Sequence, residues 1–251
     1  MKPSIKTLVA TLAAALTLVS SAAYAREIVR VGTEPSFAPF EFMPEGSSEL
    51  TGFDIDLIRA IAKASDFDIA LTTMPFDGLI PAILTGSLDV GISAFTITEE
   101  RKKKVLFSEP YCQAGLGTLI NAEYKDQIKS VKDLEGKTLC GQIGTSGAMY
   151  EATIKDANVV QFNSASETYL ELDKGGCVAV INDRPVHEYY LATTHDEKAL
   201  LLPDYVSAEE YGIVMSRDNE QVAKLINEGF AKIKQDGTFA AIYEKWFGKK
   251  N

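Results

Sequence analysis

Three observations predict that the 251-residue chain folds as an α/β protein with parallel sheets covered by helices. Short apolar runs of strand length alternate with segments whose apolar residues return every three to four positions. Two strand-like runs, 89–95 and 138–142, lead into turns rich in Thr, Ser or Gly and then into helix starts. No internal repeat or low-complexity linker interrupts the alternation. The length allows one large domain or two lobes of ordinary size, and lobes without a loose tether must be joined by short strands.

Residues 1–25 stand apart. Met1-Lys2-Pro3-Ser4-Ile5-Lys6 is basic, an apolar run extends from about Leu8 to Val19, and Ala23-Tyr24-Ala25 closes with a small-x-small pattern. This is a secretory signal peptide cleaved after Ala25, too short and wrongly flanked for a membrane span. No Cys follows the apolar run, which argues against a lipid anchor. The mature chain is expected in the periplasm of a bacterium with two membranes.

The mature elements follow in order. Residues 28–33 read as a strand, and 34–42, with Pro35 and Pro39, as an aromatic-rich loop that cannot be helical. Gly46-Ser47-Ser48 marks a turn. A helix is predicted over 53–64 from apolar Phe53, Leu57, Ile58, Ile61 and Ala62, with Asp54 and Asp56 at its positive end. A strand at 69–73 and a helix at 77–84, stopped by Gly86, precede the strand 89–95. Beyond Tyr111 come a strand at 138–142, the turn Gly144-Thr145-Ser146-Gly147, a helix, and a strand at 178–181 ending in Asn182-Asp183. From Tyr211 a strand at 212–215 and helices at 220–234 and 239–247 close the chain.

Charge and cysteine usage exclude several classes. The net charge is −10, and losing Lys2 and Lys6 with the leader deepens it to −12, so neither nucleic acid nor an acidic membrane is a natural partner. His187 and His195 share no ligand spacing with the cysteines, which argues against zinc or haem; no cofactor is expected. Three cysteines leave at least one outside any intramolecular pair. An oxidising compartment permits a Cys140–Cys177 bond, but two buried packing cysteines are the simpler expectation.

The segment Ser93-Ala94-Phe95-Thr96-Ile97-Thr98-Glu99-Glu100-Arg101 carries the chemistry. It runs from strand into a Thr-rich turn and a helix start, and the Arg101 guanidinium can fold back over that turn. Backbone N–H groups, a Thr hydroxyl and a bidentate guanidinium make a receptor for a small carboxylate. The alternative is a capped helix start followed by a solvated basic run, 101–104.

Gly52-Phe53-Asp54-Ile55-Asp56-Leu57 resembles the signature of the extracellular solute-binding proteins that deliver polar amino acids to ABC importers. Phe37-Ala38-Pro39-Phe40-Glu41-Phe42, Thr96 through Arg101, Gly144-Thr145, Asp236-Gly237-Thr238 and Ile242 through Gly248 stand at that family's intervals, so the similarity spans essentially the whole mature chain. The resemblance implies a two-lobed periplasmic binding protein fold with two hinge crossovers and a ligand cleft between the lobes. Lobe 1 would be 27–111 with 212–251, lobe 2 115–207, and the hinges 111–115 and 207–211. Cleft closure would be a hinge motion. The implied partners are an amino acid and a membrane permease, with the receptor a monomer and not an enzyme.

The resemblance also assigns residues. Arg101 would hold the ligand α-carboxylate, helped by the N–H of Thr96 and that of Thr145 or Ser146. Asp183, the Ala94 carbonyl and the Thr96 hydroxyl would take the α-ammonium. Phe37 and Phe76, which composition alone would place in a core, would sandwich the side chain. Glu34 stands where relatives usually carry Asp, facing the cleft, and its carboxylate favours N–H donors and repels acidic side chains. Gln142 on the second lobe can donate or accept and decides nothing. Ala94-Phe95 departs from the small pair of some relatives, where backbone makes the contacts. Asn182 replaces a His of some glutamine binders. An arginine-, lysine- or histidine-like ligand is preferred over glutamine. The alternative class is a dehydratase acting on prephenate-like acids with Glu34 as general acid, which Asp183, suited to an ammonium, argues against.

Overall fold

The computed structural model describes residues 26–249, and the leader expected over 1–25 lies outside them. The chain begins with β1 (Ile28–Thr33), the two-residue strands β2 (Ser36–Phe37) and β3 (Glu41–Phe42), α1 (Phe53–Ser65), β4 (Asp68–Thr73), α2 (Phe76–Leu84), β5 (Val90–Gly91), α3 (Glu99–Lys102) and β6 (Leu106–Phe107). Next come β7 (Cys112–Ala114), β8 (Leu116–Asn121), β9 (Thr138–Gln142), α4 (Ser146–Glu151), β10 (Asn158–Phe162), α5 (Ala165–Asp173), β11 (Ala179–Asp183), α6 (Arg184–Thr194) and β12 (Ala199–Leu201). β13 (Glu209–Tyr211), β14 (Val214–Met215), α7 (Glu220–Gln235) and α8 (Thr238–Phe247) complete it.

Two five-stranded sheets form, each in its own lobe, with orders β4-β1-β5-β14-β6 and β10-β9-β11-β8-β12. The α/β class is borne out: β1 pairs parallel with β4 and β5, and β9 with β10 and β11. β7 and β13 pair antiparallel as a separate two-stranded ribbon between the sheets, with Tyr211 opposite Cys112.

The signature Gly52-Phe53-Asp54 has a physical basis. Gly52 adopts φ 133, and a β-carbon there would lie 2.0 Å from the Phe40 carbonyl oxygen, so only glycine fits. That approach lets the first turn of α1 donate N–H bonds outward, Phe53 to Pro39 O and Asp54 to Phe40 O, both at 2.9 Å. Behind this start, α1 buries Phe53, Ile55, Leu57, Ile58 and Ile61, and α7 comes close because Gly229 faces the Ile61 carbonyl. Aromatic edges extend the core to the ribbon: Phe40 meets Tyr211 at 5.2 Å and Phe53 meets Phe247 at 5.1 Å.

Three expectations are corrected. The strand at 89–95 is only β5, because Ala94 takes a left-handed φ of 45° that turns the chain out of the sheet. The strand expected over 212–215 is β14 alone, with 209–211 diverted into the ribbon. Cys140 and Cys177 form a disulfide rather than packing as thiols, since Cys140 in β9 and Cys177 just ahead of the adjacent β11 bring their Cα atoms to 5.8 Å. The loop 34–42 also folds more tightly than expected, as the β2–β3 hairpin around a cis Ala38–Pro39 bond.

Glu151, at the end of α4, is fully buried, and its Oε1 accepts the Ile181 N–H at 2.8 Å while Oε2 has no hydrogen-bond partner. Burial raises its pKa to about 8, so it is neutral at pH 7. A raised carboxyl gives stability that is complete below about pH 4.5 and lost as pH rises through 8. Glu151→Gln should therefore gain stability over the native protein by about 1.4 kcal/mol per pH unit across that window. Urea denaturation at pH 5 and pH 8.5 measures the difference, and a pH-independent one would contradict it.

Candidate functional site

The site is assembled where strands of both sheets end. In the first lobe, the Ala94 N–H donates to Asp54 Oδ2 at 2.8 Å, which holds the left-handed turn leaving β5. Thr98 caps α3 by accepting the Arg101 N–H at 3.1 Å. The Arg101 side chain then folds back, as its spacing from Thr96 suggested. Nη1 donates to Thr96 O at 2.8 Å and Nη2 crosses to Gly144 O of the second lobe at 3.0 Å. The guanidinium lies 5.3 Å from the Phe76 ring, which stacks on Phe95 at 4.7 Å. Burial lowers the Arg101 pKa, and the charges of Glu209, Asp183 and Glu100 oppose that shift. The run after Arg101 is solvated, with Lys102, Lys103 and Lys104 exposed, but Arg101 itself is buried.

In the second lobe, β9 ends at Gln142 and the turn passes through Gly144 at φ 79. Thr145 caps α4: its hydroxyl accepts the Ala148 N–H at 3.2 Å and donates to Gln142 O at 2.8 Å. The Thr145 N–H is used inside the turn, on Gln142 O at 3.3 Å. Asp183 ends β11 in the N-cap position of α6, yet its side chain caps nothing. It accepts instead from the Tyr211 hydroxyl, in the ribbon. Burial and the Glu209 charge raise the Asp183 pKa to about 7, against the pull of Tyr211 and Arg101.

Glu34 lines the same space and is 4% exposed. Its Oε2 accepts the Ser36 hydroxyl at 2.8 Å, and Gln142 hydrogen-bonds to it from the other lobe. Burial raises its pKa, and these two bonds draw it back. Ser36 also accepts the Ala165 N–H at 3.2 Å, fastening the first lobe to the start of α5.

All ten residues singled out in the sequence line one cavity: Glu34, Phe37, Phe76, Ala94, Thr96, Arg101, Gln142, Thr145, Ser146 and Asp183. The empty space between these side chains, open solvent included, amounts to about 280 Å³. That space is drawn into narrow clefts, with almost none of it wide enough for a free water, so the two lobes meet closely around it.

Sequence reasoning missed Glu41 and Ser93, which also line the cavity, and Glu209 beside it. Glu209 Oε2 accepts the Thr96 hydroxyl at 2.6 Å and the Ser146 hydroxyl at 2.9 Å, so one oxygen in the ribbon joins both lobes. Its place at the second crossover was the available signal. His187 is fully buried, its pKa lowered to about 3 by desolvation, with Nδ1 3.0 Å from the Tyr169 hydroxyl. Among the described residues no His, Cys, Asp and Glu cluster could hold a metal ion, and no helix is long and apolar enough to cross a membrane.

Two lobes, a connecting ribbon and a polar cavity between strand ends define a cleft receptor of the α/β class. Residues 29–249 match the bacterial extracellular solute-binding proteins, family 3, and the chain belongs to that family. The probable histidine-binding protein of Neisseria gonorrhoeae is 30% identical over 230 residues, covering 89% of this chain and 84% of that protein. The putative ABC transporter arginine-binding protein 2 of Escherichia coli (strain K12) is 30% identical over 253 residues, 97% of this chain and 99% of that protein. An ancestral arginine-binding protein bound to arginine superposes with a TM-score of 0.85 at 39% identity, covering 90% of this chain and 100% of that one. An ancestral arginine-binding protein bound to glutamine gives 0.82 at 40%, over 89% and 99%. The ancestral amino acid-binding protein described as a precursor of cyclohexadienyl dehydratase gives 0.79 at 34%, over 88% and 95%.

Proposed function

We propose that this chain is a periplasmic, non-catalytic receptor that captures a cationic amino acid, closes on it as a monomer and presents it to an ABC permease. One observation carries this: a guanidinium and an aspartate share a buried cavity whose lining holds a second carboxylate, Glu34. Arg101 takes the α-carboxylate with the N–H groups of Thr96 and Ser146, the Thr145 N–H being used in its own turn. Asp183, the Ala94 carbonyl and the Thr96 hydroxyl take the α-ammonium. Phe37 and Phe76 enclose the side chain, and Glu34 with Gln142 receives its cationic end. The lobes, 27–111 with 212–251 against 115–207, swing about the β7–β13 ribbon. Contacts made by the second lobe only on closure give the ligand its preference for the closed form.

Glutamine is the second reading, because Glu34 and Gln142 Oε1 can both accept from a side-chain amide, the Gln142 N–H groups being used on Asn163 O and Glu34. Prephenate chemistry fits less well: prephenate has no ammonium for Asp183. A melting-temperature screen against the twenty amino acids, ornithine and prephenate tests all three, since a ligand of the folded state raises stability by mass action. Strong shifts by arginine, lysine or histidine support the cation, a glutamine-only shift selects the second reading, and turnover of prephenate overturns the receptor assignment.

Glu34→Gln separates the first two ligands. Replacing the buried carboxylate should weaken arginine binding by about 2–5 kcal/mol and change glutamine binding by under about 1 kcal/mol. If the ranking of arginine against glutamine in calorimetry stays the same, Glu34 is not the selector.

A further inference from the structure

Beneath the first lobe's half of the cavity lies a second polar cluster that the ligand contacts do not use. Glu41 (β3) and Asp54 (α1) are both 0% exposed, are bonded to the adjacent residues Ser93 and Ala94, and act directly on each other electrostatically. Their bonds are one-directional. Glu41 Oε1 accepts the Ser93 hydroxyl at 2.7 Å, and Ser93 in turn accepts the Glu34 N–H at 3.1 Å. Asp54 Oδ2 accepts the Ala94 N–H and the Tyr111 hydroxyl, each at 2.8 Å. Glu41 Oε2 and Asp54 Oδ1 are buried without a hydrogen-bond donor. Two carboxylates cannot bond to each other without a proton between them. The titratable groups acting on the pair are Glu34 from the loop after β1 and Tyr111 ahead of β7, with Cys112 beyond Tyr111; each is an acid, so none supplies a compensating charge.

We propose that Glu41 is a neutral carboxylic acid whose proton bridges to the Asp54 carboxylate, and that this pair is the positioning device for the ligand-contacting turn 93–96. The donor inventory places the proton on Glu41. Asp54 is the better anion, with two further donors and the first turn of a 13-residue helix behind it. The bridged pair ties four places together: the turn at Ser93-Ala94, the loop at Glu34, the start of α1, and Tyr111 at the entrance to the ribbon. Ala94, a non-glycine residue at φ 45, keeps its conformation while Asp54 holds its N–H. Desolvation pushes the Glu41 pKa well above the usual carboxylate range, and Asp54 to about 6. The role in ligand affinity rests on the amino-acid receptor function proposed above; the protonation does not.

The test has two arms. In the infrared difference spectrum of native protein minus Glu41→Gln at pH 8, a carbonyl band of a protonated carboxylic acid, shifted in deuterium oxide, is expected; its absence overturns the proposal whatever the ligand is. In calorimetry with L-arginine and L-glutamine as probes, Glu41→Ala should weaken whichever the native protein binds by tenfold or more. Glu41→Gln, whose amide donates to Asp54 and accepts from Ser93, should restore affinity to within threefold. Native-like affinity in Glu41→Ala, or no rescue by a folded Glu41→Gln, overturns the positioning role. Should Glu41→Ala fail to fold, Ser93→Ala cuts the tie to the turn and leaves the carboxyl pair. A tenfold loss there supports the role, and affinity within threefold of native rejects it. If native protein binds neither probe, the assignment of those ligands fails, while the infrared arm still decides the protonation.

Discussion

Arg101→Met abolishes measurable amino-acid binding while the protein stays folded. A buried guanidinium that meets a carboxylate contributes through charge-assisted bonds, and removing it leaves the ligand's anion without its counter-charge. Such truncations cost about 2–5 kcal/mol, a rise in Kd of roughly one and a half to three and a half powers of ten. From a micromolar receptor, at about −8 kcal/mol, that loss alone takes Kd to between tens of micromolar and a few millimolar. The substitution also deletes the contact to Gly144 O, which joins the lobes, so the closed form loses a bond of its own. Folding is spared for a reason visible in the packing. Methionine retains the stem and lays its sulfur against Phe76 and Phe95, where the guanidinium lay. A melting temperature within a few degrees of native, with no heat on titration of any amino acid, is the expected pair of results. Affinity within threefold of native would falsify the carboxylate assignment.

Most of the scaffold could be read from local pattern because local physics makes it. α1 declares itself through its apolar period and first-turn acids, and β9 runs over the residues its apolar stretch predicted. Arg101 was legible for a similar reason: Thr98, Glu99 and Glu100 begin a one-turn helix, and four or five residues return a side chain over its own start. What escaped was set by distant partners. Ala94 is bent out of the strand by Asp54, forty positions away, and nothing near Ala94 announces it. The Cys140–Cys177 bond depends on β9 and β11 being neighbours, which spacing along the chain does not reveal. Glu209 meets Thr96 across 113 positions, and its role arises only once the ribbon places it between the lobes. Glu41 looked like one polar residue in an aromatic loop. Its burial against a second acid is a tertiary fact.

Asp183 should make binding depend on pH with a definite sign. Its pKa in the folded protein is raised from 3.8 to about 7, so near neutrality the carboxyl is divided between charged and neutral forms. Only the charged form pairs with an α-ammonium. Affinity should therefore be full above about pH 7 and fall by up to tenfold for each unit below it, with proton release on binding at pH 6. Stability of the ligand-free protein carries the opposite sign. A carboxyl whose pKa rises on folding contributes stability that is complete below about pH 3.8 and lost as pH climbs through 7, by about 1.4 kcal/mol per unit. The charge that grips the ligand is thus a cost to the empty fold, offset in part by the Tyr211 hydroxyl and the Arg101 guanidinium. Asp183→Asn should pull these two effects apart. At pH 8 it weakens binding by about 2–5 kcal/mol, flattens the pH profile, and raises the melting temperature of the unliganded protein. A capping role in α6 alone would produce a different pattern, with stability lowered and the pH profile of binding unchanged. Calorimetry at pH 6 and pH 8, in buffers of different ionisation enthalpy, distinguishes the two, and a native-like pH profile in Asp183→Asn rejects the ammonium contact.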